Sequence, residues 1–378
     1  MQKLKVVAMY LPQFHQIPEN DEFWGKGFTD WETVRRAKPL YQGHCQPRVP
    51  LNNNYYDLSI EENVEWQASL AHEYGIYGFG VYHYWFNNEK NLLTRPAEIL
   101  RDSQTIKVKY FFVWDNNSWV RSWSNVAGNA WAPNVEKDKD KQKGPTVLIQ
   151  YILGDEPEWL RHYENLREHF KSDNYEKINN KPIFCILSYN PKMKRMFDYW
   201  DKLAKKDGYA GIHYVLMRFK RNENWNWITK YTYQPHFASL WKQGNLIERG
   251  FKKLLSKVGY KPKPKLRYFD YDKTWEDLLK QTAKDADRSI INGGFVDYDD
   301  SPRRGAIKGN VFKGATPAKF KRYFSKLVDI TKIQGKEYLF LTAWNEWGEG
   351  AYFEPDEQNG FAYLEAVKEV LMRDEHQE

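Results

Sequence analysis

The sequence predicts an α/β fold, specifically a (β/α)8 TIM barrel with long strand-to-helix loops. Three observations carry that expectation: eight apolar, β-rich runs, helical patterns between them, and long segments that follow strands while helix-to-strand joints stay short. Near-continuous hydrophobicity suits strands buried on both faces, as in parallel sheets. Strands alternating with helices argue for an α/β protein, and a count of eight favours a closed barrel over an open sheet. The whole chain, 1–378, reads as one barrel domain.

The candidate strands are Leu4–Phe14, Ile76–Phe86, Val108–Trp114, Pro182–Tyr189, His213–Phe219, Tyr231–His236, Ser289–Val296 and Tyr338–Trp344. Between the first two, Ser59 and Glu62 form a capping-box pattern, Val64, Ala68 and Ala71 follow at helical spacing, and Gly75 supplies the stop. Asp155 opens a helix whose Trp159, Tyr163, Leu166 and Phe170 share one face. Thr316-Pro317 starts another, with Phe320, Phe324 and Leu327 in register, and a last one runs from about Phe361 to Leu371. The segments after strands, about 15–58, 115–154 and 297–315, are long enough to need a function. In a barrel such loops gather at the face that carries the chemistry. Glu136 to Lys143 (EKDKDKQK) reads as a solvated loop tip and Lys261 to Lys265 (KPKPK) as an extended surface linker.

Composition narrows the class. Lys+Arg 57 against Asp+Glu 50 leaves +7 spread along the chain, which is no argument for nucleic acid. No apolar run approaches the ~20 residues of a bilayer-spanning helix. Lys3 and Lys5 precede only a short apolar stretch, without a cleavage pattern, so the expected compartment is the cytoplasm. Cys45 and Cys185 lie far apart without metal or redox spacing, which makes reduced thiols the default. The unusual number is 16 Trp, 26 Tyr and 21 Phe, 17% of the chain. Many of these rings fall in Gly/Asn/Pro-rich stretches, where flat faces line binding clefts.

The most informative segment is Trp344-Asn345-Glu346-Trp347-Gly348-Glu349-Gly350, at the exit of the eighth strand. On a continuing strand, residues three apart point to opposite faces. A helical turn at Trp347-Gly348 would bring Glu346 and Glu349 together. Two close carboxylates suit acid/base work at an anomeric centre, one protonated beside an ionised neighbour. The spacing leans toward the ~5–5.5 Å of retaining chemistry over the ~6.5–9.5 Å of inversion without deciding it. The plainer alternative is a pair of solvated or capping loop residues.

Other strand exits repeat the theme. Tyr10-Leu11-Pro12-Gln13-Phe14-His15 follows the first strand and His83-Tyr84-Trp85 ends the second. Trp114 and Asp115 end the third, with Arg121 beyond them. Hydrogen-bonding groups interleaved with rings match a polyhydroxylated ligand, although His83 could equally be a core histidine satisfied by backbone. There is no HExxH, paired CxxC, P-loop or GxSxG elbow, and no metal or cofactor is expected. His162 and His169, seven apart on a helix, read as a solvated face.

At these residues the sequence resembles the WbsX-type proteins, a family described as glycosyltransferases of surface-polysaccharide loci and related to glycoside hydrolase family 99. The motifs are YLPQFHQIPENDEFWGKGFTDW at Tyr10–Trp31, YGIYGFGVYHYWF at Tyr74–Phe86, DYDDSPRRG at Asp297–Gly305 and WNEWGEGAYFEPD at Trp344–Asp356. The resemblance implies a sugar site at the strands' C-terminal ends and cleavage of α-mannosides with retention. It implies that Glu346 assists attack by the substrate's own 2-hydroxyl and that Glu349 protonates the leaving oxygen. It also implies sugar contacts at Tyr10, Gln13, His15, His83, Tyr84 and Trp85, with Trp24, Trp31, Arg303 and Glu354 as further candidates. Two positions depart from the family pattern: Asn117 stands where a carboxylate is expected, and Asp30 stands where glutamate is commoner.

Three functions compete at this stage. The first is retaining hydrolysis of an α-mannoside-like linkage in an oligosaccharide or polysaccharide. The second is a transferase building a surface polysaccharide, which needs a donor site, Arg303-Arg304 being the only tempting basic pair. The third is carbohydrate binding without catalysis.

Overall fold

A computed structural model describes residues 3–120, 147–219, 225–237 and 266–373. Arg121, Glu136–Lys143 and Lys261–Lys265 lie outside the described residues. Eight parallel strands form a closed ring: β1 (Lys5–Tyr10), β2 (Gly78–Asn87), β3 (Lys109–Trp114), β4 (Lys181–Ser188), β5 (His213–Arg218), β6 (Thr229–Tyr231), β7 (Ile290–Phe295) and β8 (Tyr338–Thr342). Closure is at β1, whose Lys5 to Ala8 pair with Tyr338 to Leu341 of β8 while Val7 to Tyr10 pair with Gly78 to Val81 of β2. Short antiparallel strands at Lys90–Leu92 and Lys177–Ile178 add to β2 and β4.

The strands are buried because they are apolar on both faces: β3 (KYFFVW) is covered from Tyr110 to Trp114 and β7 (IINGGF) along its full length. Between β6 and β7 the backbones approach so closely that a Cβ on Gly293 would lie 2.0 Å from the Thr232 carbonyl oxygen. Only glycine fits there.

Helices surround the ring. They are α1 (Pro18–Trp24), α2 (Asp30–Arg35), α3 (Glu61–Glu73), α4 (Arg95–Asp102), α5 (Glu156–Lys171), α6 (Met193–Lys206), α7 (Tyr271–Lys284), α8 (Ser301–Lys308), α9 (Pro317–Ile333) and α10 (Ala362–Met372). The anticipated stripes face inward: Val64, Ala68 and Ala71 on α3, Trp159 to Phe170 on α5, and Phe320, Phe324 and Leu327 on α9. Thr316 caps α9 by accepting the Lys319 N–H. The long loops after β1 and β7 carry the short helices α1, α2 and α8 and deliver them to the strands' C-terminal mouth. Cys45 and Cys185 are free thiols. Among the described residues no helix is long and apolar enough to cross a membrane.

Two local expectations are corrected. The Ser59–Glu62 capping box does not form: Asp57 takes both the Ser59 N–H and its hydroxyl, and α3 begins at Glu61 without a side-chain cap. Strand β6 occupies Thr229–Tyr231 rather than Tyr231–His236. Past Tyr231 the Thr232 N–H still donates to the Ile291 carbonyl (3.1 Å), and Tyr233 to His236 then leave the sheet as a turn in which Pro235 has no N–H to give a ladder.

Candidate active site

The turn after β8 folds back on itself. Asn345 and Glu346 pair antiparallel with Tyr352 and Ala351, and Trp347–Glu349 close the end in a single 3-10 turn. The Asn345 side chain pins this turn to the exit of β1, its Oδ1 accepting the Leu11 N–H (2.7 Å) and its Nδ2 donating to the Leu11 carbonyl (3.0 Å). Trp347 stacks flat on Tyr352 with ring centroids 3.7 Å apart, and its Nε1 donates to Glu354 Oε2. The indole is thereby held in the packed layer, while Glu346 and Glu349 meet one guanidinium.

That guanidinium is Arg303 of α8. Its NH1 donates to Glu349 Oε1 (2.9 Å), and its NH2 donates to both Glu346 Oε2 and Asp30 Oδ2 (3.0 Å each). The side chains of Asp30, Glu346 and Glu349 are 4%, 6% and 17% exposed. Gly348 is what lets the turn approach: a Cβ there would lie 2.5 Å from Arg303 Nε and 2.7 Å from Asp30 Oδ2. Three carboxyls against one fixed cation cannot all ionise cheaply in a dry site. Burial, with the charges of Glu349 and Asp30 added, pushes Glu346 up to about 8 against the pull of Arg303. Burial also pushes Glu349 up, but Arg303, His236, Arg304 and a hydrogen bond from Tyr298 together hold it below the ordinary glutamate value. Burial and the neighbouring charges therefore favour a proton on Glu346 over one on Glu349.

The anticipated sugar contacts fall into three groups. Tyr84 lies in the electrostatic reach of Asp115, Glu346, Arg303 and Asp30. Asp115 accepts from the Asn117 amide (2.8 Å), and burial raises its pKa, so an amide occupies the position where a carboxylate was expected. Gln13 and His15 are buried on the loop after β1, where the Gln13 carbonyl accepts the Asp30 N–H and so places that acid. Burial lowers the pKa of His15. The second set stands behind the turn. Tyr10 donates to Gln67, Gln67 and Tyr56 donate to the two oxygens of Glu354, and burial pushes Glu354 up to about 7. Trp31 donates to the Tyr56 carbonyl and packs on Trp347, while Trp24 packs on Phe28.

His83 is buried with its Nε2 2.9 Å from Nε2 of His162, and burial pushes it down to about 3. Trp85 lies flat on His162 (4.4 Å, 2°), and Trp114 donates to the Trp85 carbonyl. His162 and His169 are thus not a solvated face; both are 2% exposed, and His169 Nδ1 meets the Tyr110 hydroxyl (2.8 Å). Both fall on the same helical stripe as Trp159, Tyr163, Leu166 and Phe170, so the spacing itself carries the correction.

The sequence profile of a family described as glycosyltransferase WbsX matches residues 6–367. The chain belongs to the WbsX family. An uncharacterized protein, WxcX, from two strains of Xanthomonas campestris pv. campestris is 28% identical over 381 residues, covering 97% of this WbsX-family chain and 50% of the relative. The chain thus spans about half the length of the curated relatives it matches. Among solved structures, a GH99 endo-alpha-mannosidase from Bacteroides thetaiotaomicron in complex with Bis-Tris-propane aligns over 100% of both chains with a TM-score of 0.55 at 12% identity. A further structure of the endo-alpha-mannosidase from that organism aligns over 100% of both chains with a TM-score of 0.52 at 12% identity. A glycoside hydrolase-like protein gives 0.55 at 13% identity over 98% of this chain and 94% of its own. These likenesses show that the WbsX-family chain has the barrel of those hydrolases.

Several residues near the pair escaped the sequence reading. Tyr82 and Tyr233 lie within electrostatic reach of Glu346 and Glu349, and His236 and Tyr298 within reach of Glu349. Each sits at or just past the exit of β2, β6 or β7, the same positional signal that singled out His83 and Trp114. Among the described residues no three His, Cys, Asp or Glu side chains are grouped to hold a metal ion.

Proposed function

We propose that this WbsX-family chain cleaves an α-mannoside-like linkage in an oligosaccharide or polysaccharide, with retention and with the substrate's 2-hydroxyl as nucleophile. The observation that carries the reading is the convergence of Glu346 and Glu349 on Arg303 at the barrel mouth. In the first step Glu346 takes the 2-hydroxyl proton as O2 attacks C1, and Glu349 gives its proton to the departing oxygen. Water then opens the 1,2-anhydro sugar, with Glu349 accepting its proton and Glu346 returning one to O2. Each proton transfer of this kind contributes roughly 10²–10⁴-fold.

The resting proton lies on Glu346, whereas these roles need it on Glu349. A 2-hydroxyl hydrogen-bonded to Glu346 favours its ionised form. The high pKa then makes Glu346 the stronger base toward a sugar hydroxyl, and the low pKa makes Glu349 the stronger acid toward the leaving oxygen.

The family's description favours a second reading, sugar transfer from an activated donor. Against it, Arg303 is committed to three carboxyls and Arg304 Nε donates to Asp300 (2.9 Å), so the charges of that basic pair are already engaged. Incubation with mannose-containing oligosaccharides, and separately with labelled donor sugars, decides between them. Hydrolysis abolished by Glu346→Gln and by Glu349→Gln, with folding and ligand binding kept, supports the first reading; full activity in either variant removes it. Transfer from a donor without hydrolysis supports the second.

A further inference from the structure

Beneath the turn lies a network that the sequence reading left unassigned. The Asp299 N–H donates to the carbonyl oxygen of Glu349 itself (2.6 Å). The Asp299 carboxylate is held in turn: Oδ2 accepts from His44 Nε2 (2.8 Å) and Gln46 Nε2 (2.7 Å), and Oδ1 accepts the Ser301 N–H (3.0 Å). His44 Nδ1 accepts the Leu40 N–H at 3.0 Å. A neutral imidazole has one donor and one acceptor, so this contact fixes the proton on Nε2, aimed at Asp299. The side chains of His44 and Asp299 are 3% and 2% exposed, and the Tyr41 ring lies flat over His44 (4.4 Å, 9°). Arg48 adds a second strap from the same segment: NH2 pairs with Asp297 (2.7 Å) and NH1 donates to the Gly350 carbonyl (3.2 Å). Two successive carbonyls of the acid-bearing turn are therefore tied, through one intermediary or none, to residues 44–48.

We propose that His44 and Arg48 are positioning residues that hold the Glu349 carboxyl against Arg303 by fixing the backbone of its turn. The inference rests on the reading of Glu349 as proton donor. Its geometry is separate from that reading, because the contact it protects is the 2.9 Å hydrogen bond from Arg303. Around Glu349 stand Arg303 and Arg304 from α8 with Asp300 just before it, Tyr82 from β2, Tyr233 and His236 past the end of β6, Tyr298 past the end of β7 and Glu346 from its own turn. Of these, Arg303 is the cation in direct contact, and a turn that relaxes outward loses it first.

The test reads Glu349 directly in the full chain, labelled with ¹³C at the glutamate side-chain carboxyl carbons. Its signal is assigned by loss in Glu349→Gln and followed against pH. His44→Ala should raise the titration midpoint of Glu349 by about one pH unit or more, and His44→Gln, whose amide can still donate to Asp299, should bring it back toward the wild-type value. A His44→Ala chain that melts cooperatively with the midpoint unmoved overturns the proposal, since a purely structural role would lower stability alone. Should His44→Ala not fold, Gln46→Ala removes one donor to Asp299 and asks the same question, with the same two outcomes. A midpoint that rises while no sugar is ever cleaved leaves this inference standing and removes the proposed function only.

Discussion

Gly348→Ala tests the turn at its tightest point. The added methyl would sit 2.5 Å from Arg303 Nε and 2.7 Å from Asp30 Oδ2, whereas ordinary contacts to carbon begin near ~3.5 Å. Both groups must therefore retreat by roughly 1 Å. Neither is the free end of a flexible chain: Arg303 is bonded to three carboxyls, and Asp30 is buried at the start of α2. Overpacking of this kind costs about 1–3 kcal/mol, and a displacement of about 1 Å at reacting groups costs on the order of 100-fold in rate. The expected result is a melting temperature lowered by a few degrees, a kcat lowered by about 100-fold and a KM little changed. Steady-state kinetics with thermal unfolding checks both. Wild-type kcat with unchanged melting would show that Arg303 and Asp30 do not crowd Gly348, and the described clamp would be refuted.

Other outcomes follow from the same charges. The wild-type rate should be bell-shaped in pH, with an alkaline limb near about 8, where Glu346 gives up the pair's last proton, and an acid limb below the ordinary glutamate value, where Glu349 gains one; a flat profile across that range contradicts the shared proton. Arg303→Gln removes the cation that depresses Glu349, so the acid limb should move to higher pH by about 1–3 units. A depressed carboxylate contributes stability above its unfolded pKa and loses it as pH falls through the folded one. The variant should therefore lose about 3–5 kcal/mol in denaturant unfolding at about pH 8 and much less at about pH 3, where Glu349 is protonated in both chains. Equal losses at both would contradict the sign. Activated leaving groups need little protonation, so a fluoride or aryl glycoside should restore turnover to Glu349→Gln and not to Glu346→Gln; the reverse pattern would exchange the two roles.

Much of this was legible in the chain because burial on both faces leaves a plain signature. Seven of the eight candidate strands overlap their observed runs closely, from Leu4–Phe14 over β1 to Tyr338–Trp344 over β8. The exception, β6, carries a tyrosine-rich run past its end, and apolar content alone does not mark where Pro235 stops the ladder. Ser59 misled because Asp57 offers its hydroxyl a nearer acceptor than the helix start does. The acidic pair was readable from the turn, since Gly348 between two glutamates implies a close approach. Arg303 was readable as a site residue but not as a clamp, because the contact that defines it joins Asp30 of α2 to residues more than 270 positions away. His44 and Arg48 left no sequence signal of their own: their meaning lies in two carbonyl contacts across the barrel mouth.

Joint action of Glu346 and Glu349 on an anomeric carbon, with the substrate's own 2-hydroxyl as nucleophile, dictates which anomer leaves first. Proton NMR of the sugar released in the first minutes from an α-mannose-containing oligosaccharide measures it most directly. The α-anomer is expected first, with the β-anomer growing in only as mutarotation proceeds. Initial release of the β-anomer would contradict it.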